Sequence, residues 1–295
     1  MAEAPGSRQA GIVGVFGRAA ATYDRVGPRF FAHFGERLVE EARVPEGARV
    51  LDVATGRGAV LFPAARRVGP RGRVVGIDLA EEMVRALDAD LRREGRSNVS
   101  VRRMDAEALD FAEASFDLLF CGHGLWFFPR PRRALEEAFR VLAPGGRVAL
   151  STWDRDGAYV SWLRRELPAC IPGREDDAGR AEPCLFDTPG LLEAALAEAG
   201  FAEVGVRRES AEFVYVGDDE WWESLWSHGT RAPLERVAPV LLGDVRAEAL
   251  RRIRPLRRPD GIHTPFDALF AFGTKPVDAA SPLRPSDEAA GVPGG

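Results

Sequence analysis

The chain reads as an α/β protein built on a doubly wound sheet, and three observations lead there. First, Arg49-Val50-Leu51-Asp52-Val53-Ala54-Thr55-Gly56-Arg57-Gly58 places a short apolar strand directly before a turn with two glycines one residue apart. Second, strand-like and helical stretches alternate from that turn to Trp153, the pattern of parallel crossovers. Third, acids and glycines stand where those strands end, the edge at which open α/β sheets bind ligands.

The totals narrow the class. The 295 residues carry 45% hydrophobic and 29% charged side chains, ordinary for a globular protein, with a net charge of −5. That balance offers no footprint for nucleic acid or an anionic membrane. No apolar run reaches the roughly 18 residues of a membrane helix. The stretch Met1 to Gln9 lacks the apolar core of a secretory signal. Three cysteines (Cys121, Cys170 and Cys184) do not form a disulfide framework, so a reducing, cytoplasmic setting is expected. No His, Cys and carboxylate cluster has metal-ligand spacing, so no metal is expected.

Residues 1–8 are expected to be disordered, and 9–46 to form an N-terminal helical lid. Its first helix runs from Gln9 to Asp24, with Ile12, Val13, Phe16, Ala19, Ala20 and Tyr23 on one face; a second follows Pro28. These helices also offer a contact between subunits of a homo-oligomer. Residues 47–153 form the core. Strand 1 covers about 48–54, and a helix follows from Ala59 to about Val68. Strand 2 is Arg73 to Asp78, followed by a helix from Ala80 to Glu94 with Met83, Leu87 and Leu91 four apart. Strand 3 is Asn98 to Arg103, then a short helix near 106–110 and strand 4, Phe116 to Cys121. A helix from Pro131 to Leu142 stops before Pro144-Gly145-Gly146, and strand 5 is Arg147 to Trp153. Residues 154–275 complete the sheet with two insertions. Residues 154–186 are loop-rich with one helical piece, Tyr159 to Leu167; Thr188 caps a helix to Ala199. Phe201 to Val216 is strand 6, residues 218–262 are a helical, Trp-rich insertion, and Pro265 to Lys275 is strand 7. The tail 276–295 has a disordered composition.

The run Asp52-Val53-Ala54-Thr55-Gly56-Arg57-Gly58 resembles motif I of the class I S-adenosylmethionine (SAM)-dependent methyltransferases, with Ala54 at the first glycine. Asp-Val-Ala-Thr-Gly is familiar from the ubiquinone and menaquinone type. Val74-Val75-Gly76-Ile77-Asp78-Leu79 looks like motif II. Arg103-Met104-Asp105-Ala106-Glu107 is similar to the acid-plus-small pair after strand 3. Phe116 to Trp153, with Arg140-Val141-Leu142-Ala143-Pro144-Gly145-Gly146, resembles the family's strands 4 and 5. The resemblance implies a Rossmann-like seven-stranded methyltransferase sheet, with SAM as cofactor and a helical cap from the insertions after strands 5 and 6. It implies that Asp52, Ala54, Thr55, Gly56 and Gly58 form the cofactor turn. Asp78 with Leu79 then takes the ribose and Met83 the adenine face. Asp105 and Ala106 read the adenine edge, and Cys121 and His123 lie beside the cofactor. Tyr23 matches a tyrosine that folds over the methionine end.

The acceptor is read as a small, largely hydrophobic metabolite, natural-product or quinone-like. Phe16 and Phe30 of the lid, Trp126 after strand 4, and Trp222, Trp226 and Arg231 of the second insertion are its expected contacts. His123, between two glycines at the sheet edge, and His228 are candidate bases, since an imidazole near pKa 6.5 takes a proton at neutral pH. Transfer is an in-line SN2 attack that depends on alignment. Related proteins also promote cyclisation, and a non-catalytic SAM-binding role is an alternative. An NAD(P) oxidoreductase is disfavoured because Leu61 stands at the fingerprint's third glycine and no Tyr-x-x-x-Lys pair occurs. Cys170 and Cys184 carry a weak likeness to thiol-binding arsenic methyltransferases.

Overall fold

The computed structural model describes residues 5–174 and 186–278. Cys184 and most of the expected tail lie outside the described residues. The core strands are β1 (Arg49–Val53), β2 (Arg73–Asp78), β3 (Val99–Arg103), β4 (Phe116–Gly122), β5 (Leu142–Trp153), β6 (Ala202–Tyr215), β7 (Arg257–Arg258) and β8 (Gly261–Thr274). They form one sheet in the order β3-β2-β1-β4-β5-β8-β6, with β7 pairing on β8. β3 to β5 are parallel, and β8 runs antiparallel between β5 and β6. The strand order reverses between β1 and β4, so the ligand crevice opens there.

The two sheet faces follow from the alternation of side chains along each strand. Leu51, Val53, Val75, Ile77, Leu119 and Leu150 bury against α5 (Pro131–Val141) and the helix Pro189–Glu198. Val50, Val74, Leu118, Phe120 and Ala149 bury against α2 (Phe30–Ala42), α3 (Leu61–Val68) and α4 (Glu81–Glu94). A third core, with Trp221, Leu225, Leu234 and Val245, makes the second insertion a helical cap, as expected.

α1 (Pro5–Ala19) begins ahead of the expected Gln9 and stops before Tyr23. Its end is set by tertiary bonds. The Ala20 carbonyl accepts from Arg57 Nη1 at 2.5 Å, and Asp24 takes a left-handed backbone angle. The Asp24 carboxylate then accepts from the amides of Phe31 (3.2 Å) and Ala32 (3.0 Å), capping α2. α3 starts at Leu61 rather than Ala59, because Gly58 sits at φ +82 inside the turn.

The expected helix near 106–110 is instead a run of turns. Side chains take the backbone groups a helix would use. The Leu109 amide donates to buried Glu137 at 2.9 Å, and Arg140 donates to the carbonyls of Leu109 (2.8 Å) and Phe111 (2.7 Å). β5 starts at Leu142, because Pro144-Gly145-Gly146 continues the strand: Gly145 N and Lys275 N exchange bonds with Lys275 O and Gly146 O at 2.8 Å. β8 starts at Gly261, before Pro265, and Pro265 itself pairs with β6 alone, so the missing proline N–H costs no ladder bond on the other side.

Lys275 is the only lysine of the chain and it is buried. Its Nζ donates to the carbonyls of Phe139 and Leu142 at 2.8 Å, closing the C-terminal end of α5. Lys275→Met strips buried carbonyls of their donor, and a stability loss of about 1–3 kcal/mol is expected in urea unfolding. An unchanged midpoint overturns this role.

Candidate active site

A cleft of about 770 Å³, including its open mouth, lies over the ends of β1, β2 and β4. Its floor is Ala54, Gly56, Asp78, Leu79, Asp105, Ala106, Gly122 and His123, and Met83 of α4 flanks it. Phe16 and Tyr23 of the lid and the segment Phe127-Phe128-Pro129 form its walls. A smaller cavity adjoins it, sharing Tyr23, Ala54, Gly56 and His123 and adding Phe31, Asp52, Thr55 and Ser151.

The β1 turn is tightly specified. Ala54 adopts φ +54, as strained for alanine as it would be easy for glycine. Its methyl fills the space beside Gly124, where an added Cβ would come within 2.6 Å of it. Gly124 therefore answers Ala54 across the crevice. An added Cβ on Gly58 would meet Phe62 at 2.8 Å, so this glycine serves helix packing. Gly58 does not line the cleft, and neither does Cys121, whose thiol is buried and pushed up to about 12 by burial.

Three carboxylates hold the polar part. Asp78 is buried in the low-dielectric floor, which raises its pKa. Its oxygens accept from Gly56 N and Ala80 N, both at 2.9 Å, which leaves lone pairs for two vicinal hydroxyls. Asp105 accepts from Glu107 N at 2.9 Å and from Gln9 Nε2 of α1 at 3.0 Å. Asp52 lines the inner cavity and accepts from the Thr55 hydroxyl at 2.6 Å; burial pushes its pKa up to about 7.

His123 is 8% exposed at the junction of the two cavities, and among the described residues neither of its ring nitrogens has a hydrogen-bond partner. Phe31 (5.6 Å), Phe34 (5.9 Å) and Trp153 (4.0 Å) surround the ring. Burial pulls its pKa down to about 3. The premise of an imidazole titrating near neutrality is therefore corrected: the desolvated ring stays neutral. His228 is likewise pulled down to about 3 by burial. It sits outside the cleft, behind Phe30 (5.4 Å) and Phe31 (6.2 Å).

Tyr23 does fold over the turn. Its ring stacks on Phe31 at 5.1 Å, and an added Cβ on Gly56 would lie 3.6 Å from it. Phe16 meets Phe127 edge-on at 4.8 Å. The other expected acceptor contacts lie elsewhere. Phe30 is core, stacked on Phe266 at 4.6 Å. Trp126 donates its indole N–H to Thr152. Trp222 and Trp226 pack on each other within the cap. Arg231 binds Glu235 at 2.5 Å and the carbonyl of Arg18 at 3.3 Å, which joins the cap to α1. None of these five lines the cleft, because each is consumed by packing on another element or within the cap.

Several contributors carried no readable signal. Gln9, Ile12 and Val13 reach the cleft only because α1 lies across α4. Arg57, at the variable position of the turn, is 8% exposed in its side chain and binds both Ala20 O and Asp90. A buried arginine at a position that tolerates any residue is invisible without the lid.

Fold and cleft together define a SAM-binding α/β enzyme, and the comparisons agree. A methyltransferase-domain profile matches residues 50–146. Nocamycin O-methyltransferase of Saccharothrix syringae is 37% identical over 80% of this chain and 89% of its own. An aklanonic acid methyltransferase of Streptomyces is 40% identical over 55% of this chain and 73% of its own. Among solved structures, the Bacillus subtilis YcgJ protein matches with a TM-score of 0.57 at 20% identity, over 83% of this chain and 99% of that one. The chain belongs to the class I SAM-dependent methyltransferases. The cleft fits that cofactor: an acid with free lone pairs stands at the end of β2, and a second acid and small residues follow β3.

Asp52 supplies a pH test. Its raised pKa means the folded state holds the proton more tightly, so its stabilisation is full below about pH 4 and is lost as pH rises through about 7. Asp52→Asn mimics the protonated acid. Between pH 5 and 8 it is expected to gain about 2 kcal/mol on the wild type in thermal unfolding. Parallel curves overturn the assignment.

Proposed function

We propose that the chain transfers the SAM methyl group to a small, largely hydrophobic acceptor of the natural-product or quinone-like class. The observation that carries this reading is His123, a neutral imidazole whose two nitrogens have no partner among the described residues, set between the cofactor cleft and an aromatic wall. Bound in the cleft, SAM supplies a methyl group already activated as a sulfonium. The chain's task is to hold, align and dry the reactants. Asp78 holds the ribose, Asp105 and Ala106 the adenine edge, and Met83 its face. Tyr23 and Phe16 close over the crevice and exclude water. Such alignment contributes roughly 7–11 kcal/mol to a bimolecular transfer. His123 hydrogen-bonds the acceptor's nucleophilic atom and aims it at the methyl group.

A strong base is not required of His123, and a ring protonating only near 3 is a poor one. The acceptor group is therefore acidic enough to arrive ionised or to ionise on binding. The named relatives are a nocamycin O-methyltransferase and an aklanonic acid methyltransferase, which supports a natural-product acceptor.

The test is methyl transfer from labelled SAM to a panel of acidic phenols, enols and carboxylic acids. Wild type is expected to label at least one. Asp78→Ala is expected to weaken SAM binding at least tenfold with the fold intact. His123→Phe is expected to lower kcat with little change in SAM affinity. Unchanged SAM affinity in Asp78→Ala removes that residue from the ribose role, and failure to label any acceptor counts against transfer.

A further inference from the structure

A third space, sharing no lining residue with the cleft or its adjoining cavity, lies between the cap, the end of β6 and the start of β8. It has a volume of about 440 Å³ including its opening to solvent, and Tyr159, Trp162, Trp221, His228, Thr264 and Phe266 line it. The walls are ring faces and edges: Tyr159 stacks on Phe266 at 4.3 Å, and Trp162 meets Trp221 edge-on at 5.4 Å. An apolar space of this kind needs no ligand to explain it. Its polar groups do.

Trp162 Nε1 and Thr264 Oγ1 are both buried without a hydrogen-bond partner among the described residues. Buried donors are ordinarily paired, and two orphans lining one cavity call for an oxygen from outside the chain. The third polar group is His228, whose tautomer follows from its neighbour. The Thr230 hydroxyl has one hydrogen, which it donates to Leu225 O at 2.5 Å. Thr230 Oγ1 can then only accept from His228 Nδ1, 3.0 Å away. The proton is on Nδ1, and Nε2 keeps a lone pair. The chamber thus offers an N–H donor, a hydroxyl and a ring-nitrogen acceptor inside an aromatic shell.

Building on the methyl-transfer reading, we propose that this chamber holds the body of the acceptor, a flat conjugated ring system bearing a carbonyl and a hydroxyl. The carbonyl accepts from Trp162 Nε1–H and Thr264 Oγ1–H, and the hydroxyl donates to His228 Nε2. Phe31 lies between the chamber and the cofactor cleft, touching His228 at 6.2 Å and His123 at 5.6 Å. Phe30 also stands against His228 at 5.4 Å, so the acceptor's reactive edge reaches the methyl group only when these two rings turn aside.

The probe is 1-hydroxy-2-acetylnaphthalene, titrated calorimetrically into the full chain with and without SAM; 2-ethylnaphthalene serves as the analogue lacking both oxygens. Thr264→Val keeps the volume and removes the hydroxyl, and Trp162→Phe removes the N–H. Each variant is expected to bind the ketone about three- to tenfold more weakly. Binding of 2-ethylnaphthalene by Thr264→Val is expected to match wild type. Thr264→Val should unfold at the same temperature as wild type or higher, because it deletes an unpaired buried hydroxyl, whereas a structural hydroxyl would lower it. Equal ketone affinity in wild type and both variants overturns the assignment. So does absence of ketone binding while SAM still binds, which leaves methyl transfer standing. Failure of SAM itself to bind strikes the methyl-transfer reading instead.

Discussion

Asp78 is the group on which the site's geometry depends. One oxygen holds the Gly56 amide and the other the Ala80 amide, so a single carboxylate ties the turn after β1 to the start of α4. Those contacts fix the left-handed run around Ala54 and Gly56 and set where α4 presents Met83. Burial makes the charge expensive, and the amides are what keep it in place. The same carboxylate then faces the cleft with lone pairs to spare. In the proposed reading, structure and cofactor binding share this residue because both need an acceptor at the carboxyl end of β2.

The lid is held by a second set of contacts that ignores chain order. Arg57 reaches from the turn to Ala20 O and Asp90, and Arg18 and Arg231 meet on Glu235. Asp24 caps α2 directly after Tyr23. Tyr23 is therefore anchored on one side to the floor's turn and on the other to α2, which packs on the sheet. Through these anchors α1 and Tyr23 are tied to the cofactor-side turn, the core and the cap.

The interior beyond the cofactor turn is aromatic and dry. Phe31, Trp153 and His123 pack ring on ring, and His123 and His228 are held neutral by desolvation rather than by an ion pair. Transfer of a methyl group from a sulfonium to an anionic oxygen removes charge as it proceeds. A poorly solvating interior favours that direction, as the proposed transfer by alignment instead of a strong base requires.

The core was legible from the chain alone because its signals are local. The turn Ala54 to Gly58, the acids ending β2 and following β3, and the glycines around His123 each sit within a few residues of the strand that positions them. Parallel crossovers then leave little choice of topology. Tertiary packing alone decided the rest. Phe30, Trp126, Trp222, Trp226 and Arg231 are types suited to an acceptor pocket, yet each is consumed by a neighbour distant in sequence or by its own cap. The segment 106–110 lost its helix to Glu137 and Arg140. The histidines' protonation followed from burial, which no sequence position announces. Local pattern determines backbone and turn chemistry, because those interactions are short-range. Side-chain partnership and desolvation depend on which surfaces meet, and only the folded chain brings them together.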